Sequence, residues 1–207
     1  MEGKELSLQL IQADYDRILD KYHFCENDLD SIKKVGEYIL QIAKPVLFYE
    51  YTDKVYVIVT LGNAIDLLQD GYSKTEKMTE AYMVECISME LLTQAYEQTG
   101  EIIHKATGGW LKEYSFLGDK YPLAMMEEIF NRLQPEGVSF NQAYMMTPKK
   151  TVVFVSQLQK ERNLSECHIC RNCSNINCTN RLDDRLDESI KAMPYGYQRI
   201  LGNGERR

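Results

Sequence analysis

Two short runs of β-branched and aromatic residues restrict the fold of this chain more than any other feature. They are Val46–Tyr51 and Val55–Thr60, and only Thr52-Asp53-Lys54 separates them. Such side chains pack well on a pleated surface, and a short polar break between two such runs favours a tight reversal. The sequence therefore predicts a β-hairpin over residues 46–60.

A second extended pair is predicted further along the chain. It covers residues 138–146 and 151–158, joined through Thr147-Pro148-Lys149-Lys150, which has the composition of a turn. Residues 110–117 are also expected to be extended. Strands joined by such short connections pair antiparallel, so we expect an antiparallel sheet.

The segments before and between these predicted strands have apolar residues at helical spacing. Residues 5–44 predict two helices that end before Pro45, residues 75–99 predict the longest and most central helix, and residues 122–133 predict another. Helices laid against an antiparallel sheet make an α+β fold. We expect a twisted sheet flanked by helices, with a helical N-terminus and a Cys-rich C-terminal tail.

The division into domains follows from where apolar residues become sparse. From residue 159 onward Cys, Asn, Asp and Arg dominate the sequence. We therefore expect an α+β domain over residues 1–158, of which 1–44 are the N-terminal helices, and a Cys-rich metal-binding tail over residues 159–207.

Charge and hydropathy exclude two classes of partner. No run approaches the roughly 18 apolar residues of a membrane span, which argues against a membrane protein. The formal net charge of −7 argues against nucleic-acid binding, because phosphate neutralisation needs a concentrated basic surface. The N-terminal residues lack the apolar stretch of a secretory signal, so the expected location is cytoplasmic.

Four cysteines near the C-terminus carry the most distinctive chemistry. Cys167, Cys170, Cys173 and Cys178 follow the spacing C-x2-C-x2-C-x4-C. Thiolates spaced in this way can bind an iron–sulfur cluster, whereas tetrahedral zinc with four sulfur ligands, or with His168 replacing one, is the main competitor. A reactive or unliganded thiol tail is the third alternative.

Other candidates have plain structural explanations. Cys25 and Cys86 are isolated, and a lone buried Cys behaves as a small apolar residue. His23 and His104 lie far from any other His or Cys, which does not favour a metal pair. The stretch Thr60–Asn63 could hold an anion at a helix start, but its single glycine is more typical of a structural turn. A polar and aromatic segment around Tyr114, Ser115 and Gly118 could line a small-molecule groove.

Several segments, taken in order, match the motifs of one known family. They are Val59-Thr60-Leu61-Gly62 with Ile65-Asp66, the helix over 75–99, Tyr114-Ser115 with Pro122-Leu123, and Gly137-Val138 leading to Tyr144-Met145-Met146-Thr147-Pro148-Lys149-Lys150-Thr151-Val152. Over about residues 46–158 the chain resembles the activation (reactivation) domain of cobalamin-dependent methionine synthase, especially its short stand-alone relatives. The resemblance implies an α+β fold, binding of S-adenosylmethionine, and docking on a corrinoid protein or methionine synthase core, where reduced cobalamin is remethylated.

The resemblance also implies a ligand site, with altered residues. The arginine of the family's R-x-x-x-G-Y segment falls on Glu113, its tyrosine on Gly118, and the acidic position of the long helix on Gln94, with Glu97 nearby. Replacing Arg by Glu reverses a charge that would pair with the ligand's carboxylate. The implied cofactor-binding set is Gln94, Glu97, Glu113, Tyr114, Ser115, Gly118 and Asp119, with Glu97, Glu113 and Asp119 available for the ligand's positive groups.

Two functional hypotheses follow. The first is an accessory protein of corrinoid-dependent methyl transfer, in which an iron–sulfur cluster delivers a low-potential electron to cobalamin on the partner. The second is a non-catalytic scaffold or regulatory module with a degenerate S-adenosylmethionine pocket and structural zinc. The sequence contains no convincing catalytic nucleophile, general acid or general base of its own.

Overall fold

Helices and short strands alternate along the chain in the computed structural model, which describes residues 3–118 and 120–162. The helices are α1 (Gln12–Lys21), α2 (Leu29–Ile42), α3 (Ala64–Lys74), α4 (Met78–Thr107) and α5 (Met125–Leu133), with a 3-10 turn at Glu26–Asp28. The strands are β1 (Lys4–Glu5), β2 (Val46–Tyr51), β3 (Val55–Thr60), β4 (Trp110–Leu111), β5 (Ser115–Phe116), β6 (Ser139–Phe140), β7 (Met146–Thr147), β8 (Thr151–Ser156) and β9 (Leu158–Gln159).

The main sheet has five antiparallel strands in the order β1-β2-β3-β8-β5. The predicted hairpin is β2–β3, and its strands pair from Tyr51–Val55 to Val46–Thr60. β8 then pairs along the whole of β3, with Thr60 opposite Thr151. The predicted α+β fold with an antiparallel sheet and flanking helices is therefore confirmed.

The sheet divides the core into two layers because side chains alternate along its strands. Val55, Val57 and Val59 of β3 face a cluster built with α1, α2 and α4. Tyr56 and Ile58 face the other side, where α5 covers them. Every residue of β3 is buried, as expected of a central strand covered on both faces.

The predicted pairing of residues 138–146 with residues 151–158 is wrong. β6 and β7 instead form their own two-stranded hairpin, and β8 pairs with β3 and β5. The Asn141 side chain accepts the backbone N–H groups of Ala143 and Met145 at 2.9 and 3.0 Å, which turns the chain between β6 and β7. A local turn thus replaces a long strand.

The start of the first predicted helix is also wrong. Lys4 and Glu5 form β1, residues 6–10 are not helical, and α1 begins only at Gln12. Leu6, Leu8 and Leu10 contribute to the core at every second position, so the relevant period is two. The second of the two helices predicted within residues 5–44 is confirmed as α2, and the long helix predicted over residues 75–99 is α4, which extends further, to Thr107.

The buried carboxylate of Glu90 fixes α1 against α4. It accepts hydrogen bonds from Arg17 at 2.6 Å, Lys21 at 2.6 Å and Tyr22 at 3.2 Å. Burial alone would raise the pKa of Glu90, but the positive charges of Arg17 and Lys21 outweigh it and hold the pKa below the usual value. The carboxylate therefore stays ionised at neutral pH and keeps α1 in place.

No helix among the described residues is both long and apolar enough to cross a membrane.

Replacing Glu90 by Ala should lower the free energy of unfolding by about 3 kcal/mol, because two cations lose a buried partner. The stability that Glu90 contributes should be fully present at pH values above the pKa of its carboxyl group in the unfolded chain. It should be lost as the pH falls through the lower, folded value. Denaturant unfolding of the wild-type and variant proteins across the acid range measures both effects.

The matched control is Glu127→Gln, which changes an exposed glutamate of α5 and should shift stability by less than about 0.5 kcal/mol. The free energies of unfolding of wild type and Glu90→Ala should differ less at acid pH than at neutral pH. An equal difference at both would contradict this role of Glu90.

Candidate functional site

The residues expected to contact a ligand lie on two parts of the fold. Gln94 and Glu97 lie on α4, whereas Tyr114 and Ser115 lie at the start of β5 and Gly118 in the turn that follows. Asp119 and the four cysteines Cys167, Cys170, Cys173 and Cys178 fall outside the described residues. Their predicted roles as ligand contact and metal ligands therefore stay predictions.

Tyr114 connects β5 to the long helix. Its ring is buried and packs at 4.9 Å from the ring of Phe154. A Cβ atom placed on Gly100 would lie 3.6 Å from the Tyr114 hydroxyl, so this hydroxyl reaches α4. Gly100 follows Glu97 by about one helical turn. The Tyr114 hydroxyl therefore contacts α4 about one turn away from Glu97.

Glu113 forms an ion pair with a neighbouring lysine. Gly118 has a positive φ of 92° and donates its N–H to the Tyr121 carbonyl at 2.7 Å, which reverses the chain. Lys120 forms an ion pair with Glu113 after this reversal. The hydrogen bond from Lys120 to Glu113 raises the pKa of Lys120. The negative charge of Glu113 is therefore already paired within the chain.

Ser115 is buried and lies opposite Val155 in the sheet. Tyr114 directly precedes it in the chain. In this arrangement Ser115 is a strand residue of the sheet edge.

Gln94 binds the chain's own backbone. Its side-chain amide nitrogen donates to the Gln9 carbonyl at 2.8 Å, and its oxygen accepts the Gln9 N–H at 3.4 Å. One turn later, the Gln98 amide donates to the Ser7 carbonyl at 2.7 Å. Both glutamines therefore hold the N-terminal extended segment on α4.

A polar cluster that sequence reasoning missed lies between α3, α4 and the start of β8. The ammonium group of Lys150, which is buried, donates to Glu85 at 2.5 Å. Glu85 also accepts the Gln69 amide at 3.0 Å. Burial would raise the pKa of Glu85, but the hydrogen bond and charge of Lys150 outweigh it and lower that pKa. The sequence signal that could have indicated this cluster is a lysine directly before a strand rich in Val and Thr.

The turn after β3 belongs to the same region. The Thr151 hydroxyl donates to the Thr60 hydroxyl at 2.9 Å, and Asp66 accepts the Lys149 N–H at 2.7 Å. Gly62 has a positive φ of 86°, and its N–H donates to Thr60. The stretch Thr60–Asn63 therefore has the hydrogen bonding of a structural turn that joins β3 to α3.

The two isolated cysteines differ in burial. Cys86 is buried, and burial raises the pKa of its thiol to about 11, so the thiol stays protonated and is a poor nucleophile. Cys25 is exposed, so the expectation of a buried apolar role is wrong for it. Among residues 3–118 and 120–162, no group of three or more His, Cys, Asp or Glu side chains is placed to hold a metal ion.

His104 is packed against an aromatic ring. It stacks on Trp110 with ring centroids 3.7 Å apart and an interplanar angle of 11°. The guanidinium of Arg162 also packs on the Trp110 ring, 4.6 Å from its centroid, and forms an ion pair with Glu101 at 2.9 Å. His104 therefore contributes to packing at the C-terminal end of α4.

The two partners of the Lys150–Glu85 pair should respond differently to substitution. The Lys150 side chain is 7% exposed and that of Glu85 is 42% exposed. Glu85→Leu should lower the free energy of unfolding by about 3 kcal/mol, because it leaves the buried ammonium group of Lys150 without its carboxylate partner. Lys150→Met should lower the free energy of unfolding by less than about 1.5 kcal/mol. Met fills the space of the apolar part of the lysine side chain, and water can hydrate the carboxylate of Glu85.

Denaturant unfolding of both variants measures this difference. Equal losses of stability in Glu85→Leu and Lys150→Met would contradict the asymmetry that the exposures predict.

Comparison with solved structures shows a likeness of fold. No family model matches the sequence, and no curated protein matches it. A solved structure described as the MetH reactivation domain bound to AdoHcy is similar, with a TM-score of 0.49 and 14% sequence identity. The similarity covers 72% of this chain and 70% of that chain. At this identity the likeness concerns the fold alone and assigns no ligand or partner to this chain.

Proposed function

We propose that this protein is an accessory factor of corrinoid-dependent methyl transfer. It assists the reductive reactivation or remethylation of cobalamin on methionine synthase or another corrinoid protein. The observation that supports this proposal is the convergence of the sequence segments that resemble the reactivation domain. Three of those segments, around residues 59–66, 114–115 and 146–152, are far apart in the chain and meet around β8.

The convergence is specific in its contacts. The end of β3 and the start of β8 lie side by side, with Thr60 opposite Thr151. Asp66, in the first turn of α3, accepts the N–H of Lys149, which lies 83 residues later. β5, which contains Ser115, pairs with the other edge of β8. If the sequence segments matched the reactivation-domain motifs by chance, there would be no reason for them to contact one another. Their contacts therefore support a fold in common with the reactivation domain.

A sulfonium ligand would need a rearranged set of contacts. Gln94 holds the Gln9 backbone and Glu113 forms an ion pair with Lys120, so neither side chain is available without a change of partner. The carboxylates of Glu97 and Asp119 are the proposed partners for positive groups of S-adenosylmethionine, and Glu113 would join them only by exchanging Lys120 for the ligand. The region of α4 near Gly100, where Tyr114 packs, is the proposed location of this site.

The C-terminal cysteines supply the electron-transfer part of the proposal. Cys167, Cys170, Cys173 and Cys178 would bind an iron–sulfur cluster, whose potential can be low enough to reduce cobalamin. On this reading the α+β domain docks on the corrinoid protein and the tail delivers the electron.

The direct test is a reactivation assay. Anaerobically purified full-length protein is added to a methionine synthase core that lacks its own reactivation domain and holds oxidised cobalamin, with S-adenosylmethionine and dithionite. We expect the added protein to increase the rate of methylcobalamin formation by at least about tenfold, a barrier change of roughly 1.4 kcal/mol. Visible absorption of the cobalamin measures the rate.

A variant with all four cysteines changed to Ser is the matched control. It should retain the unfolding transition of the α+β domain and lose the acceleration. No acceleration by the wild-type protein, with either S-adenosylmethionine or methyl donors in excess, would contradict the accessory function.

A second candidate is favoured by the same internal contacts. Because Gln94 and Glu113 are both bound by the chain itself, the region suits a degenerate pocket in a scaffold or regulatory module. Four thiolates would then hold structural zinc. The two candidates differ in the purified protein. Iron, sulfide and a broad visible absorbance that bleaches with dithionite support the first, whereas colourless protein with zinc supports the second.

S-adenosylmethionine binding can be tested separately by calorimetric titration with thermal unfolding as a second readout. The rearranged site predicts a saturable heat and protection from unfolding that are both weakened in Glu97→Gln. Absence of both signals in the wild-type protein would eliminate the ligand and leave the degenerate pocket.

A further inference from the structure

The chain that leads to the cysteines is fixed to the C-terminal end of α4. β9 pairs antiparallel with β4, with Gln159 opposite Trp110. Shortly after β9, the guanidinium of Arg162 packs on the Trp110 ring, 4.6 Å from its centroid, and forms an ion pair with Glu101 of α4 at 2.9 Å. His104 of α4 stacks on the same indole. We call the surface formed by these five residues the α4 end surface.

Chain length limits where a metal bound by the cysteines can lie. Cys167 follows Arg162 by five residues, and five fully extended residues span at most about 18 Å. α4 has 30 residues, and a helix of that length is about 45 Å long. Because thiolates of one metal centre are close neighbours, Cys170, Cys173 and Cys178 have to meet Cys167. A metal held by all four therefore lies near the C-terminal end of α4 and cannot reach its N-terminal end.

Two polar atoms of the α4 end surface lack a hydrogen-bond partner in the part of the chain that the structure describes. They are Nδ1 of His104 and Nε2 of Gln159, and both are shielded from solvent. A buried polar atom without a hydrogen bond is costly. The two side chains as a whole are only partly buried. A segment laid over this surface can therefore supply the missing partners.

The charge around the α4 end surface also suits the cysteines. A zinc ion or an iron–sulfur cluster held by four thiolates has a net negative charge. Lys105, Lys160 and Arg162 are exposed at or beside this surface, where they outnumber the carboxylates of Glu101 and Glu161. Like the N–H groups of neighbouring side chains, these cations stabilise an anionic centre.

We propose that the α4 end surface is the docking surface for the Cys-rich segment of this chain, residues 163–178, in its metal-bound form. The segment covers the stack of His104 on Trp110 and supplies hydrogen-bond partners to His104 and Gln159. Its thiolate-bound metal lies beside the exposed cations. This inference rests on the metal-binding part of the proposed function, and it adds where on the fold the metal is held.

The probe is cobalt(II), added to full-length protein that has been reduced and freed of metal under anaerobic conditions. Absorption from charge transfer between thiolate and cobalt reports metal binding by the cysteines. Cobalt(II) is paramagnetic and broadens nearby N–H signals in nuclear magnetic resonance, with zinc-loaded protein as the diamagnetic reference. We expect the signals of Lys105 and Trp110 to be broadened at least about tenfold more than that of Tyr82, near the other end of α4, because of the distances involved.

Arg162→Ala tests the contact that fixes the start of the segment. It keeps the cysteines, so it should still bind cobalt, but the broadening at Trp110 should fall at least about twofold because a longer stretch of chain separates the metal from a fixed residue. The matched control is Arg132→Ala. Arg132 also packs on an aromatic ring, that of Tyr56, and forms ion pairs, but it lies on α5. It should leave the broadening unchanged.

Gln159→Leu separates docking from the stability of the fold. In the metal-free protein it removes an amide nitrogen that has no partner among the described residues, so it should not lower the free energy of unfolding. With cobalt present, the lost N–H donor should weaken metal binding by about tenfold, as removal of groups that support metal ligands does.

The outcomes distinguish this inference from the proposed function. Cobalt binding with equal broadening at both ends of α4, or with unchanged affinity in Gln159→Leu, would overturn the docking and leave the metal-binding cysteines in place. Absence of thiolate–cobalt absorption would overturn both. A cobalt-dependent dimer in sedimentation would overturn the docking, since the occupant would then belong to a second copy. The wild-type measurement decides the outcome even if a variant fails to fold.

Discussion

The pairing of β3 with β8 is the interaction on which the rest of the structure depends. It joins residues that are far apart in sequence, such as Thr60 and Thr151, and closing so long a loop costs conformational entropy. Burial on both faces offsets this cost, because Val57, Ile58 and Phe154 are fully buried at the pair. The pair brings α3, β5 and the loop around Lys149 together.

The long helix α4 orients the elements packed around it through a series of polar side chains. Glu85 contacts Lys150, which directly precedes β8, Glu90 contacts Arg17 of α1, and Gln94 contacts the backbone of Gln9 in the N-terminal segment. Buried polar groups are costly unless they are hydrogen-bonded, and their bonds are directional. Each contact therefore selects one position for its partner element.

The sequence was informative where the determining contacts are local. The β2–β3 hairpin was predictable because Thr52-Asp53-Lys54 connects two strand-forming runs directly, and α2 was predictable from its spacing and from Pro45. The strand expected at 138–146 was wrong because Asn141 turns the chain, which composition alone did not reveal. The role of Gln94 was not readable either, since its partner Gln9 lies 85 residues earlier. Likewise, nothing near Glu85 in sequence indicates Lys150.

The stacking of Trp110 has a consequence for spectroscopy. Trp110 is the single tryptophan of the chain, and both the imidazole of His104 and the guanidinium of Arg162 pack against its ring. Its intrinsic emission therefore reports the junction between α4 and β4, and is silent on the β2 edge and the β3–β8 pair. An emission change under denaturant can record loss of this local stack before or after the sheet melts. Far-ultraviolet circular dichroism is the complementary signal, because it follows the backbone that the indole does not sense.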